Sequence, residues 1–164
     1  MRSSGSSLID QIANRVAQRG QRTALAAWPD HVCFVEAKLG FELPPLLRQV
    51  YLYIGDGGNG PGYGTLPLAA FAGESLTFLE VYGDWIAGES LGDQWTWDRY
   101  LLPLTDWGCG LYECLDSSEA DGPVYRFDWT AADDGDETKE HLDPTHESLT
   151  AYFESWLQGL PDLD

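Results

Sequence analysis

Between Tyr100 and Trp129 three short stretches suited to β-strands follow one another with no helix-sized gap between them. Tyr100–Leu104 is a compact apolar run. Gly110–Asp116 alternates apolar and polar residues, and Val124–Trp129 alternates again after a Ser-Ser-Glu-Ala-Asp-Gly-Pro turn. Parallel neighbours need a crossover of about a dozen residues or more. The intervening stretches 105–109 and 117–123 are too short for that, so the middle of the chain must form an antiparallel meander.

The flanks read as helices. Ser7 can cap a helix over Leu8–Arg19, with Leu8, Ile9, Ile12 and Val16 on one stripe and Gly20 as a stop. Pro29–Leu39 is a second, closed by Gly40. A third enters at Pro44-Pro45 and runs through Leu46, Leu47, Val50, Tyr51 and Ile54. A short strand is expected at Thr65–Leu68. A fourth helix is expected over Ser75–Ala87, anchored by Leu76, Leu79, Tyr82 and Ile86. A last one over Glu147–Gln158 turns Leu149, Tyr152, Phe153, Trp156 and Leu157 inward. Helices at both ends and strands between them predict an α+β fold: a central, mostly antiparallel sheet flanked by N-terminal helices and a C-terminal helix. Residues 1–7 read as a flexible leader and 8–164 as a single domain.

The net charge of −18, from 27 acidic and 9 basic residues, sets the partner classes. Nucleic acid and anionic membrane surfaces are repelled. Basic proteins are attracted and their encounter is accelerated, although such charge also serves plain solubility. Apolar residues at 43% and aromatics at 13% are too many for a disordered chain. No run of about 20 apolar residues suggests a membrane span. Three cysteines are too few for a disulfide framework, which points to a reducing cytoplasm. Cys109 and Cys114, on opposite faces of a strand and about 17 Å apart, should not bridge.

Chemical motifs fail one after another. Gly55-Asp56-Gly57-Gly58-Asn59-Gly60 fits G-x-G-x-x-G, but Pro61-Gly62-Tyr63-Gly64 follows where a dinucleotide site needs a helical first turn. No Gly-Lys-Ser/Thr occurs, so there is no P-loop. A calcium loop with Gly135 at its sixth position would put Ala132 third and His141 twelfth, where ligands are required; Asp133, Asp134, Asp136 and Glu137 read instead as a solvated acidic loop over Ala131–Glu140. His31-x-Cys33 and His141-x4-His146 lack the partners of a zinc site. No Gly-x-Ser-x-Gly occurs. The expectation is no catalytic residue, metal or cofactor, with a carboxylate-pair enzyme as a lesser alternative.

Seven tryptophans need places. Trp28, Trp85, Trp129 and Trp156 read as core. Trp95 and Trp97 share one face of any strand they occupy, either as an exposed patch or in sheet packing.

The order of motifs resembles the SUKH superfamily, which includes bacterial immunity proteins and fungal cell-wall-assembly regulators. Gly40-Phe41-Glu42-Leu43-Pro44-Pro45-Leu46-Leu47-Arg48 is similar to the family's "LP..lr" segment. The loop from Gly57 to Leu68 resembles "nGG.GPGyG.lpL", with Asn59 in a slot that commonly holds an aromatic or apolar residue. Leu102–Gly110 resembles "lpl.dwGcg", Gly122–Asp128 "gpVy.fd", and Ser148–Leu157 the closing helix. The resemblance covers about Ala27 to Gly159. It implies an α+β fold without catalytic residues. It also implies a bacterial inhibitor of a toxin, often a nuclease, or alternatively a scaffold or regulatory module. A nuclease presents a basic surface that an acidic inhibitor can match. The candidate partner-binding residues are therefore acids near aromatics: Asp56, Tyr63, Asp93, Trp95, Trp97, Asp98 and Asp106. Tyr63 and Trp107 have packing roles as the competing reading.

Overall fold

The computed structural model describes residues 7–19, 25–69, 76–88, 95–131 and 141–159. The leader at 1–6, Asp93 and the acidic loop at 132–140 lie outside the described residues.

Helix α1, Leu8–Gln18, opens on a reciprocal cap: the Ser7 hydroxyl accepts from Asp10 N–H, and the Asp10 carboxylate accepts from Ser7 N–H. Helix α2, Pro29–Leu39, starts with proline and closes on Gly40 in the left-handed region. Helix α3, Pro45–Gln49, continues as a π-helical stretch, Val50–Ile54, where an uninterrupted α-helix was expected. The wider turn is closed by Gly55 N–H donating to Val50 O at 3.2 Å. It leaves Tyr51 wholly buried, its hydroxyl donating to Leu66 O at 2.6 Å. Burial and the Asp56 carboxylate both push the Tyr51 phenol up, so it stays a neutral donor.

Helix α4, Phe78–Ala87, is capped reciprocally by Thr77 and Glu80. That cap leaves Leu76 outside the helix. The expected anchors hold only in part: Leu79 and Tyr82 pack partly buried against the core, Leu76 is 52% and Ile86 45% exposed, and Phe78, Val81 and Trp85 are the buried residues. Two apolar stripes lie one residue, or about 100°, apart on this helix. The stripe carrying Trp85 wins because an aromatic cavity receives it.

The sheet is antiparallel in the order β1-β2-β3-β4. Its strands are β1 Leu101–Gly108, β2 Leu111–Asp116, β3 Val124–Asp128 and β4 Leu142–His146. The expected meander is there. Strand β4 was not foreseen: Asp143 and Pro144 break the strand pattern, and an edge strand tolerates both. The expected strand at Thr65–Leu68 is reduced to a bridge from Thr65 to Thr105 and a Leu66 N–H bond to Leu104 O, which cover the outer edge of β1.

Alternate residues face opposite sides of the sheet. Tyr112 and Phe127 meet Trp85 of α4, edge-on at 5.0 and 5.1 Å between ring centres. Thr105 and Glu113, paired across β1 and β2, face the other way, where the Thr105 hydroxyl lies 2.6 Å from that of Tyr152. Tyr152 belongs to α5, Leu149–Leu157, which Ser148 caps and which buries Leu149, Tyr152, Phe153 and Trp156 as expected. The observed fold is thus α+β, with N-terminal helices, a central antiparallel sheet and a C-terminal helix.

Candidate protein-binding site

The glycine-rich loop is a scaffold built around two buried polar side chains. The Asn59 amide donates to Gly55 O at 3.0 Å and Gly57 O at 3.1 Å, and Asn59 O accepts from Thr65 N–H. A polar residue fits this buried slot because its amide satisfies carbonyls that the tight loop would otherwise orphan. Asp56 performs the complementary task. Its carboxylate accepts from Leu68 N–H at 2.6 Å and Ala69 N–H at 3.2 Å, and it is 4% exposed. Its surroundings are those of a structural clamp.

Trp95 and Trp97 are each 8% exposed, so the structure favours packing over a surface patch. Trp97 lies 4.6 Å from Trp85 and 4.9 Å from Phe127 between ring centres. The indole N–H groups donate to Trp85 O and Leu101 O. These bonds complete the burial of both rings. Trp28 departs from its expected core role and stands 75% exposed at the start of α2.

Besides Trp95 and Trp97, whose rings stack in the core, two of the seven candidates come together at the surface. The tip of the glycine loop, Pro61-Gly62-Tyr63-Gly64, interlocks with the β1–β2 turn, Trp107-Gly108-Cys109-Gly110. Tyr63 N–H donates to Asp106 O at 3.0 Å, and the Asp106 carboxylate accepts from Gly108 N–H at 2.7 Å. Trp107 lies against Gly62, where a Cβ would stand 2.9 Å from its ring; the Tyr63 ring lies against Gly108, where a Cβ would also stand 2.9 Å away. Both glycines have positive φ, 59° and 83°. Trp107 is fixed from below by its indole N–H donating to the buried Glu113 carboxylate at 2.9 Å. The result is a ledge on which Tyr63 is 74% exposed. Of the two packing roles considered for these residues, Trp107 takes one and Tyr63 remains at the surface.

The ledge continues onto β3. Trp129 N–H donates to Gly110 O, and Gly110 lies against Thr130. Asp128 accepts from the Thr130 hydroxyl at 2.7 Å; that bond chiefly, with backbone donors and His141 adding to it, holds its carboxyl below the usual range. Exposed Cys109 sits at the turn. Sequence reading missed Thr130, which packs on Gly110 of this turn, and Asp128, which accepts from the Thr130 hydroxyl. The Gly-Cys-Gly turn was the available signal, but only strand register brings β3 beside it. Asp98 lies elsewhere, before the first residue of β1, with its carboxylate accepting from Tyr100 N–H. The length of β1 separates it from the ledge by roughly 20–25 Å.

The described cations are largely occupied within the molecule. Arg19 and Arg15 lie over Trp156, at 4.9 and 5.9 Å from the ring centre. Lys38 lies over Phe34, Arg99 over Phe41 and Tyr100, and Arg48 pairs with buried Glu36 at 3.1 Å. Neither Asp106 nor Asp128 has a lysine or arginine partner among the described residues. All three cysteines are free, and burial pushes the Cys114 thiol up. Among the described residues no group of three or more His, Cys, Asp or Glu side chains could hold a metal ion, and no helix is long and apolar enough to cross a membrane.

Comparison with curated proteins finds no match. Residues 27–155 match the SMI1/KNR4 family (SUKH-1), spanning helices α2 to α4, the glycine loop, the whole sheet and most of α5. The chain belongs to the SMI1/KNR4 (SUKH-1) family, whose membership suggests a protein-interaction module.

Proposed function

We propose that this protein is an immunity-type inhibitor that binds and neutralises a basic toxin domain, a nuclease being the best electrostatic fit. The supporting observation is the carboxylate surplus. The net charge is −18, and five of the described cations (Arg15, Arg19, Lys38, Arg48 and Arg99) lie on the protein's own aromatic rings or are paired internally, leaving a surplus of acids over basic partners. A partner whose own surface binds nucleic acid supplies the missing positive charge. The inhibitor acts in the cytoplasm, where exposed Cys33 and Cys109 remain thiols.

The test is to look for a toxin domain encoded beside this gene and to co-express the two. Growth restored by this protein, with recovery of a complex, supports the reading. A toxin domain that kills equally in its presence and forms no complex refutes it.

A scaffold or regulatory module is the second reading. It is favoured by a separate set of exposed apolar residues, Leu25, Trp28, Phe34 and Tyr53, away from the ledge. Stable recovery of a non-toxin protein from cells, abolished by Trp28→Ala, would select it.

A further inference from the structure

We infer that α1 is a detachable strap: it opens as one unit with the tip of the glycine loop while the sheet stays folded, so that exposed Tyr63 sits on an element whose order α1 controls. The strap is independent of which partner the protein binds.

The strap reaches the loop through Arg19. Helix α1 packs on α5 and on the π-helical stretch, with Ile12 and Val16 buried and Leu8 and Ile9 half-buried. At its end the Arg19 guanidinium lies over Trp156 of α5, 4.9 Å from the ring centre, and its Nη1 donates to Gly60 O at 3.1 Å. Gly60 is buried and immediately precedes the Pro61-Gly62-Tyr63-Gly64 tip. Its own seat is on α5, where a Cβ would stand 3.7 Å from the Phe153 ring. No other donor among the described residues reaches its carbonyl. A charged donor makes this one of the stronger hydrogen bonds, and losing it orphans a buried carbonyl at the base of the tip.

The seam between α1 and α5 carries its own reason to open. Arg15 lies 5.9 Å from the centre of the same Trp156 ring. Arg15 Nε and Trp156 Nε1 are both buried without an acceptor among the described residues. A buried donor left unpaired keeps its desolvation penalty in the folded state, and Arg15 Nε regains water when α1 lifts. Arg15 and Arg19 stand four apart on one helix, a spacing at which like charges repel, and neither has a carboxylate partner among the described residues. At 11 residues α1 is too short to stay helical alone, so it leaves whole. The sheet differs, since β2 is paired on both sides and side chains pack on both faces. The strap and the tip it holds therefore belong to the low-stability end of the molecule. Their coupling is reciprocal: whatever grips the tip steadies α1, and whatever draws α1 away loosens the tip.

The experiment is amide hydrogen exchange of the full chain, read by NMR, on the parent, Ile12→Val and Arg19→Ala. The reporters are the amides of α1, those of β2 and β3, and those of Tyr63, Gly64 and Thr65, which donate to Asp106 O, Pro61 O and Asn59 O. In the parent, α1 and the loop amides should share one level of protection, at least about tenfold below that of β2 and β3. Ile12→Val trims a buried methyl about two turns from Arg19. It should nonetheless speed α1 and the loop together, by about twofold to tenfold. Arg19→Ala should speed both by about tenfold or more. Loop amides that exchange faster than the sheet but ignore Ile12→Val overturn the strap, because the loop then opens with α1 in place. Loop amides as protected as the sheet overturn it too, because they then open only with the whole fold. So does an Arg19→Ala protein in which α1 exchanges faster and the loop does not.

Discussion

Removing the Asp56 carboxylate should unfold the glycine loop's anchorage without touching the recognition surface. Asp56 is 4% exposed, and both its oxygens accept backbone N–H groups, from Leu68 at 2.6 Å and Ala69 at 3.2 Å. Its own N–H donates to Leu25 O. One side chain thus joins the start of the loop to its far end, beside the segment leading into α2. Hydrogen bonds to a charged group are worth about 1.5–3 kcal/mol each. Asp56→Ala loses both and leaves two donors unpaired, with some relief from entering water, for an expected cost of about 3 kcal/mol. Asp56→Asn keeps one acceptor and turns an amide N–H toward the other donor, for an expected cost of about 2 kcal/mol. Urea denaturation followed by tryptophan fluorescence reads this directly. With a slope near 2 kcal/mol per molar, the midpoints should fall by about 1.5 M and 1 M. Midpoints within about 0.25 M of the parent for both variants would refute the clamp. So would a folded Asp56→Asn protein that lost partner affinity while keeping full stability, because the carboxylate would then be serving recognition.

Four further outcomes follow from the same geometry. Trp85→Ala should cost about 3–5 kcal/mol, because it empties the centre of the cluster formed with Trp97, Tyr112 and Phe127; loss of near-ultraviolet circular dichroism and an earlier urea midpoint would register it. Gly108→Ala should cost about 1–3 kcal/mol and displace the Tyr63 ring, since its Cβ would stand 2.9 Å from that ring at a φ of 83°, and NMR shifts of Tyr63 report the movement. Burial lowers the His146 pKa in the folded chain, so the unfolded chain binds the proton more readily. Its contribution to stability is therefore full above the ordinary histidine range and falls as pH drops through about 6.5 toward the folded value; comparing urea midpoints at pH 7.5 and 5 for the parent and His146→Gln isolates it. A thiol reagent should modify Cys33 and Cys109 quickly in the native protein and Cys114 only on unfolding, because Cys114 is wholly buried with its thiol pushed up.

The elements written most plainly into the sequence were those set by local chemistry. Ser7 and Asp10 fix the start of α1, Pro29 and Gly40 bracket α2, and the spacing between the strand segments forces the antiparallel meander. What stayed hidden was decided by tertiary context. Helix α4 carries two apolar stripes, and only the aromatic cavity formed by Trp97, Tyr112 and Phe127 selects the one with Trp85. Strand β4 has no strand pattern of its own and exists because β3 offers it an edge. Asp56 and Asp106 look alike in sequence, two acids within two residues of a glycine. One turns inward to hold backbone amides, and the other sits under a protruding tyrosine. Tyr63 could be identified as a candidate, but its seat against Gly108 could not, because that contact is set by how the glycine loop docks on the end of β1.

If a toxin domain is encoded beside this gene, the most direct test of the account is its association rate with this protein, followed by stopped-flow as ionic strength is raised. An acidic inhibitor steered to a basic surface should bind at about 10⁸ M⁻¹s⁻¹ or faster in low salt, slowing by at least about tenfold toward 0.5 M. Dissociation should change far less, and the toxin's activity should disappear at one equivalent. A toxin domain that stays active with excess inhibitor, or an association rate indifferent to salt, would contradict it.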